Sequence, residues 1–166
     1  MAVPARELSH QLRETTDPDL RRRRWIAALS LVGVGAGAIV GLYQIGILKR
    51  LPDPPLHVFD STRVDASDYA YKRMQTPDAF LMLISYSVTA ALAATGARDR
   101  AETAPWLPVA LAAKAAYDSA VALKLGQEEW AENRALYAYC QAATAAFLIS
   151  TALAMPEAWR AVVPQR

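Results

Sequence analysis

The residues that could carry redox chemistry in this chain lie at the start of its last apolar segment. Cys140 is the only cysteine among the 166 residues, and Tyr137 and Tyr139 stand just before it. A thiol can form a mixed disulfide with a second protein, but one thiol cannot close a disulfide within its own chain. Cys140 therefore has two interpretations: a small buried apolar residue, or a reactive thiol that needs a partner's sulfur.

Two ionisable residues stand four positions apart in another largely apolar segment. Lys114 and Asp118 have this spacing, so they share one face of a helix. Ionisable side chains at membrane depth usually face protein and pair with another group. The pair is therefore either a structural ion pair, with Lys114 reaching back toward the membrane surface, or a group that handles a ligand or a proton.

Metal chemistry has little support in the sequence. The chain has only two histidines, His10 and His57, and both lie outside the apolar segments. Together with a single cysteine they form no cluster of the kind that binds zinc, and they are poorly placed to ligate a buried haem. We predict no metal site and no required cofactor.

Four apolar segments must position these groups, at about 25–48, 79–97, 105–125 and 136–155. The first carries no charge, and at about 1.5 Å per residue it reaches about 36 Å, enough to cross a hydrocarbon core of about 30 Å. The pattern predicts an all-α integral membrane protein, a four-transmembrane-helix bundle over residues 25–158 with polar tails at 1–24 and 159–166. A soluble bundle is the alternative, but its helices would show a polar face.

The orientation of the bundle follows from its positive charges. Arg21, Arg22, Arg23 and Arg24 stand directly before the first apolar segment. Because lysine and arginine beside a span favour the cytoplasmic side, we expect both termini in the cytoplasm of a bacterial inner membrane. A block of arginines at this place is typical of a membrane surface, so we expect no nucleic-acid partner.

The first apolar segment also contains glycines at a helical spacing. Gly33, Gly37 and Gly41 are separated by four residues and so lie on one helix face. Such a face lets a neighbouring backbone approach closely. No strand precedes these glycines, so they indicate helix packing and not a nucleotide-binding loop.

Several short stretches are similar to bacterial members of the vitamin K epoxide reductase family, which are integral membrane proteins built on a four-helix bundle. The resemblance extends over roughly residues 25 to 158. The similar stretches are 41–49 (GLYQIGILK), 51–55 (LPDPP), 59–61 (FDS), 64–68 (VDASD), 105–108 (PWLP) and 113–116 (AKAA).

The resemblance implies an active site at the outer end of the fourth helix. The family carries a Cys-x-x-Cys pair there, whose dithiol reduces a quinone and is re-reduced by a thioredoxin-like partner. Cys140 matches the second cysteine, and Tyr137 stands in place of the first. Because the thiol–disulfide cycle needs two sulfurs, we expect the redox activity to be lost and the protein not to be an enzyme.

The resemblance also implies a ligand pocket beside this position. It would be formed by Tyr137, Tyr139 and Cys140, under a short surface helix through Tyr69 and Tyr71 in the first extracytoplasmic loop. Aromatic rings with hydroxyl tips suit a flat ligand such as a quinone. The same tyrosines equally suit an ordinary interfacial belt.

Three functions follow from these observations. The first is a redox-inactive accessory subunit of a larger energy-transducing complex, respiratory or photosynthetic, with lipids and other membrane-protein subunits as partners. The second is a thiol-dependent quinone oxidoreductase that uses Cys140 together with a partner's cysteine. The third is a membrane protein that binds a quinone or lipid without turnover.

Overall fold

The computed structural model describes residues 3–52, 76–133 and 138–163, and within these ranges every regular element is a helix. Tyr69, Tyr71 and Tyr137 lie outside the described residues, as does the predicted surface helix. The described helices are α1 (Ala5–Glu14), α2 (Pro18–Gln44), α3 (Asp78–Ala94), α4 (Arg100–Thr103), α5 (Trp106–Asn133) and α6 (Ala138–Val162).

The four long helices pack side by side. α2 packs against α3 and against α6, α5 packs against α6, and α5 makes a smaller contact with α3. Within the described part of the chain, α2 and α6 are long and apolar enough to cross a membrane, and α3 is apolar but shorter, with 17 residues. The fold is therefore all-helical, and the looser α3–α5 contact leaves space between these two helices.

Two of the helices extend beyond the predicted apolar segments. α2 begins at Pro18, because the Asp17 carboxylate accepts hydrogen bonds from the backbone N–H groups of Asp19 and Leu20 at 2.9 and 3.1 Å and so caps the helix. α5 continues to Asn133, through the stretch expected to be a polar connection. That stretch is rich in good helix formers, and Glu128 within it pairs with Lys124 one turn earlier, which favours helix over loop.

The arginines before the first apolar segment have different roles from one another. Arg23 is 2% exposed, and its guanidinium donates hydrogen bonds to the carbonyl oxygens of Ala93, Thr95, Gly96 and Ala97. These carbonyls end α3 and have no partners within the helix. Arg23 is therefore a cap on α3, and not simply a charge at the membrane surface as the sequence suggested.

A buried ion pair lies beside this cap. The Arg100 side chain donates from Nε and Nη2 to the two carboxylate oxygens of Glu157, at 2.8 and 2.7 Å. Its Nη1 donates to the carbonyl oxygens of Leu92 and Thr95, both at 2.7 Å. The side chains of Arg100 and Glu157 are only 1% and 3% exposed. This bidentate geometry joins α3, α4 and α6 at one point.

The glycine face of α2 lies against α3. A Cβ added at Gly33 would stand 2.5 Å from the ring of Tyr86, and one added at Gly37 would stand 3.3 Å from the Leu83 side chain. Gly41 lies farther from its neighbours. The close approach of α2 and α3 therefore depends most on the missing side chain at Gly33, since a methyl group there would overlap an aromatic ring.

Candidate functional site

A cleft of about 270 Å³ opens between α3, α5 and α6, with one residue of α2, Val40, on its wall. It lies between α3 and α5, which contact each other less than α2 contacts α3 or α5 contacts α6. Most of its lining is apolar, and its volume is close to the lower end of the range of about 300–1,000 Å³ for small-molecule sites. The polar groups on its wall come from Asp78, Ser85, Tyr117, Asp118, Tyr139, Cys140 and Thr144.

Cys140 borders the cleft from the first turn of α6. It is partly buried and packs, with Tyr139, against the apolar cluster of Val40, Leu51 and Ala79. The hydroxyl group of Tyr139 donates to the carbonyl oxygen of Pro52 at 3.0 Å. The structure therefore brings Tyr139 and Cys140 together at the cleft, near the chain that leaves α2.

Lys114 and Asp118 belong to a polar cluster between α5 and α3. The Lys114 ammonium lies 2.5 Å from Asp118 Oδ2, and it also donates to Ser85 Oγ at 2.9 Å and Thr89 Oγ1 at 3.0 Å. Ser85 Oγ in turn donates to Asp118 Oδ2 at 3.1 Å. Asp118 and Ser85 line the same cleft as Cys140, so the carboxylate of this cluster and the thiol face one cavity.

Phe147, on the wall of the cleft, is backed by Tyr86 in an aromatic pair that the sequence pattern did not indicate. The rings of Tyr86 and Phe147 stack with their centroids 4.3 Å apart and an interplanar angle of 5°. The Tyr86 hydroxyl donates to the carbonyl oxygen of Ala143 at 2.9 Å. In the sequence, Gly33 was the signal for this aromatic pair. A glycine on α2 leaves room for a large side chain on the helix that faces it.

The mouth of the cleft is fixed by a contact between α2 and α3. The Gln44 side chain donates to Asp78 Oδ1 at 2.6 Å, and its own oxygen accepts from the Ala79 N–H at 3.2 Å. Gln44 therefore satisfies a backbone donor at the start of α3. Gln44 lies within a stretch that resembles the family, which is the only sequence signal for it.

The arrangement suits a flat, largely apolar ligand with polar edges. The cleft offers aromatic and aliphatic surface, a thiol, two phenol groups and two carboxylates, which is a usual composition for a small-molecule site. In the described part of the chain, no group of three or more histidine, cysteine, aspartate or glutamate residues could hold a metal ion.

Comparison with known proteins gives one match. No curated protein and no solved structure matches the chain. The model of the Vitamin K epoxide reductase family matches residues 24–155. These residues include most of α2 and α6, the whole of α3 and α5, and the entire cleft.

The match corrects the expectation that the protein is not an enzyme. The family typically consists of quinone/disulfide oxidoreductases embedded in membranes. The lack of a second cysteine beside Cys140 is weak evidence against this activity, because another chain can supply a sulfur. With residues 24–155 matched, which is most of its length, this chain belongs to the vitamin K epoxide reductase family.

Proposed function

We propose that this protein is a membrane oxidoreductase that passes electrons from the dithiol of a thioredoxin-like partner to a quinone, with Cys140 as its reacting thiol. The observation that carries the proposal is the position of Cys140 on the wall of an apolar cleft that also presents hydroxyl and carboxylate groups. A quinone fits this surface, because its ring is flat and apolar and its two oxygens need polar neighbours.

The proposed transfer of two electrons from the partner's dithiol to the quinone takes three steps. The Cys140 thiolate adds to a ring carbon of the quinone and forms a C–S bond, so that an electron pair moves to a ring oxygen. A thiolate of the partner then attacks Cys140 Sγ, an S–S bond forms, and the electron pair of the broken C–S bond leaves with the ring. The second partner thiolate closes the partner's disulfide and releases Cys140. The two thiol protons of the partner convert the ring to hydroquinone.

The test compares the protein with its Cys140→Ser variant in detergent. We expect quinone reduction with a thioredoxin-like dithiol donor in the parent and loss of turnover in the variant, because a hydroxyl group cannot form the mixed disulfide. Thr151→Ser is a control on the same helix outside the cleft lining, since its hydroxyl donates to the Phe147 carbonyl and serine keeps that donor.

A second measurement follows the covalent intermediate directly. A donor in which the second cysteine is replaced by serine should become trapped on Cys140 as a mixed disulfide, visible on a non-reducing gel. The Cys140→Ser variant should give no such band. Equal turnover in parent and variant, or no turnover in the parent with any dithiol donor, would contradict the proposal.

We also propose that the chain works as part of a larger membrane assembly, respiratory or photosynthetic. The supporting observation is the single cysteine, because the second sulfur of the cycle must come from another protein. Purification in a mild detergent should retain other subunits in fixed stoichiometry. A monodisperse single chain that turns over without any partner protein would argue against an assembly.

In the proposed arrangement four helices span a bacterial inner membrane and both termini are cytoplasmic. Arg21 is exposed beside the start of α2, and tryptophans that favour membrane interfaces are exposed at Trp25, Trp106 and Trp159. Reporter fusions at the two termini measure the orientation. Periplasmic activity of either fusion would contradict it.

A further inference from the structure

The proposed reaction uses Cys140 and leaves the buried charges of the same cleft without a role. Lys114 and Asp118 lie in the middle of α5, and their side chains are 20% and 10% exposed. Charged groups at membrane depth are costly and are usually functional. The distribution of hydrogen bonds within this pair indicates what its function is.

The Lys114 ammonium has no donor left for a ligand. An ammonium has three N–H groups, and those of Lys114 are directed to Ser85 Oγ, Thr89 Oγ1 and Asp118 Oδ2. Lys114 does not line the cleft, whereas Asp118 does. The lysine therefore acts on the carboxylate and not on the contents of the cleft.

The Asp118 carboxylate is satisfied on one oxygen only. Oδ2 accepts from both Lys114 and Ser85, whereas Oδ1 accepts no hydrogen bond from any residue in the described ranges. The side chain is nine-tenths buried, and buried carboxylate oxygens are rarely left without a donor. Asp118 thus brings to the cleft wall one carboxylate oxygen for which the described residues supply no donor.

We propose that Asp118 Oδ1 accepts a hydrogen bond from a ring hydroxyl of a hydroquinone in the cleft, and that Lys114 is a positioning residue for this carboxylate. The inference rests on the proposed function and specifies which redox form of the ligand the site prefers. A hydroquinone has O–H donors, whereas the oxygens of a quinone are acceptors only, so a carboxylate attracts the first and repels the second.

The preference has a consequence for the direction of the reaction. A hydrogen bond to an ionised group is worth on the order of a tenfold to hundredfold change in affinity. A tenfold preference for the hydroquinone raises the potential of the bound two-electron couple by about 30 mV. The cleft would therefore make the bound quinone a stronger oxidant for the thiols that approach Cys140.

The experiment measures binding and not turnover. The full chain in detergent is titrated calorimetrically under anaerobic conditions with 2,3-dimethyl-1,4-naphthoquinone and, separately, with its hydroquinone; the methyl groups hinder addition of the Cys140 thiol. The variant is the double substitution Lys114→Gln with Asp118→Asn, because removal of one partner alone would leave a buried charge unpaired. The matched control is Lys124→Gln with Glu128→Gln, an exposed pair with the same spacing on the same helix.

We expect the parent and the control to bind the hydroquinone at least about tenfold more tightly than the quinone, and the variant to lose this ratio. A merely structural role of the pair would weaken both ligands together and leave the ratio unchanged, which would overturn the inference. Equal affinity of the parent for the two forms would overturn it without any variant.

The outcomes separate this inference from the proposed function. Preference for the hydroquinone combined with full turnover in Cys140→Ser would remove the proposed thiol chemistry and leave the ligand preference standing. Loss of turnover in Cys140→Ser combined with equal affinity for both forms would support the thiol chemistry and remove the ligand preference. Binding of neither form would overturn both.

Discussion

The two buried charge clusters of this protein differ in how completely the chain satisfies them. In the first, which we term the arginine end, Arg23 and Arg100 direct their donors to helix carbonyls and to Glu157. In the second, the cleft cluster of Lys114, Asp118, Ser85 and Thr89, Asp118 lines a cavity and one of its carboxylate oxygens has no donor from the described residues. Closed clusters of this kind hold helices together, and we propose that the incomplete cluster beside a cavity binds a ligand.

The largest effect is expected at the arginine end. Glu157→Gln leaves the Arg100 guanidinium buried without its carboxylate, and loss of one partner of a buried pair costs about 3–5 kcal/mol of stability. Unfolding in detergent micelles with increasing SDS measures the loss. Glu128→Gln, at an exposed pair, should cost less than about 1 kcal/mol. Equal stability of the two variants would remove the distinction between closed and exposed pairs.

A slightly smaller loss is expected for Arg23→Lys. Lysine keeps the charge but cannot reproduce the planar set of donors that reaches four carbonyl groups at the end of α3, so we expect a loss of about 2–3 kcal/mol. The same unfolding measurement applies, with the exposed Arg21→Lys as control. If Arg23→Lys and Arg21→Lys lower the stability equally little, Arg23 acts only as a surface charge.

An intermediate effect is expected where α2 supports the cleft wall. Gly33→Ala places a methyl group against Tyr86, which stacks on Phe147 in the cleft, and such overpacking costs about 1–3 kcal/mol. Ligand affinity should fall with it. Gly35→Ala meets no atom within 4 Å and should gain up to about 1 kcal/mol as a helix substitution. If Gly33→Ala leaves the stability unchanged, the cleft wall shifts to make room for the methyl group.

The smallest change in stability is expected for the cleft cluster itself. The double variant Lys114→Gln with Asp118→Asn removes both charges together, so no ion is left unpaired, and the stability should change by less than about 1 kcal/mol. Its ligand preference should nevertheless change. A large loss of stability with an unchanged ratio of affinities would place this pair in the same class as Arg100 and Glu157.

The features that sequence could predict are those set by local spacing. The four-residue interval places Lys114 and Asp118 on one face of α5 and groups Gly33 with Gly37 on α2, because a helix returns to the same side every turn. The features that sequence could not predict join distant segments. Arg23 meets carbonyls about 70 residues away, and no periodicity encodes which of four neighbouring arginines turns inward.

The expectation about activity was wrong for a related reason. It counted sulfur atoms within one chain, where Tyr137 stands in place of a cysteine, although thiol exchange can join two chains. The contribution of Asp118 to the cleft was equally out of reach, because it depends on Ser85 of α3 supplying a donor to one carboxylate oxygen. The source of the second sulfur depends on contacts between chains, and the hydrogen bonds of Asp118 depend on contacts between helices. Patterns along one helix encode neither.

The hydrogen bond from Tyr139 to the Pro52 carbonyl makes the neighbour of Cys140 a mechanical link to the chain that follows α2. Because Tyr139 and Cys140 are adjacent in the first turn of α6, this hydrogen bond joins the turn that carries the sulfur to the backbone that follows α2.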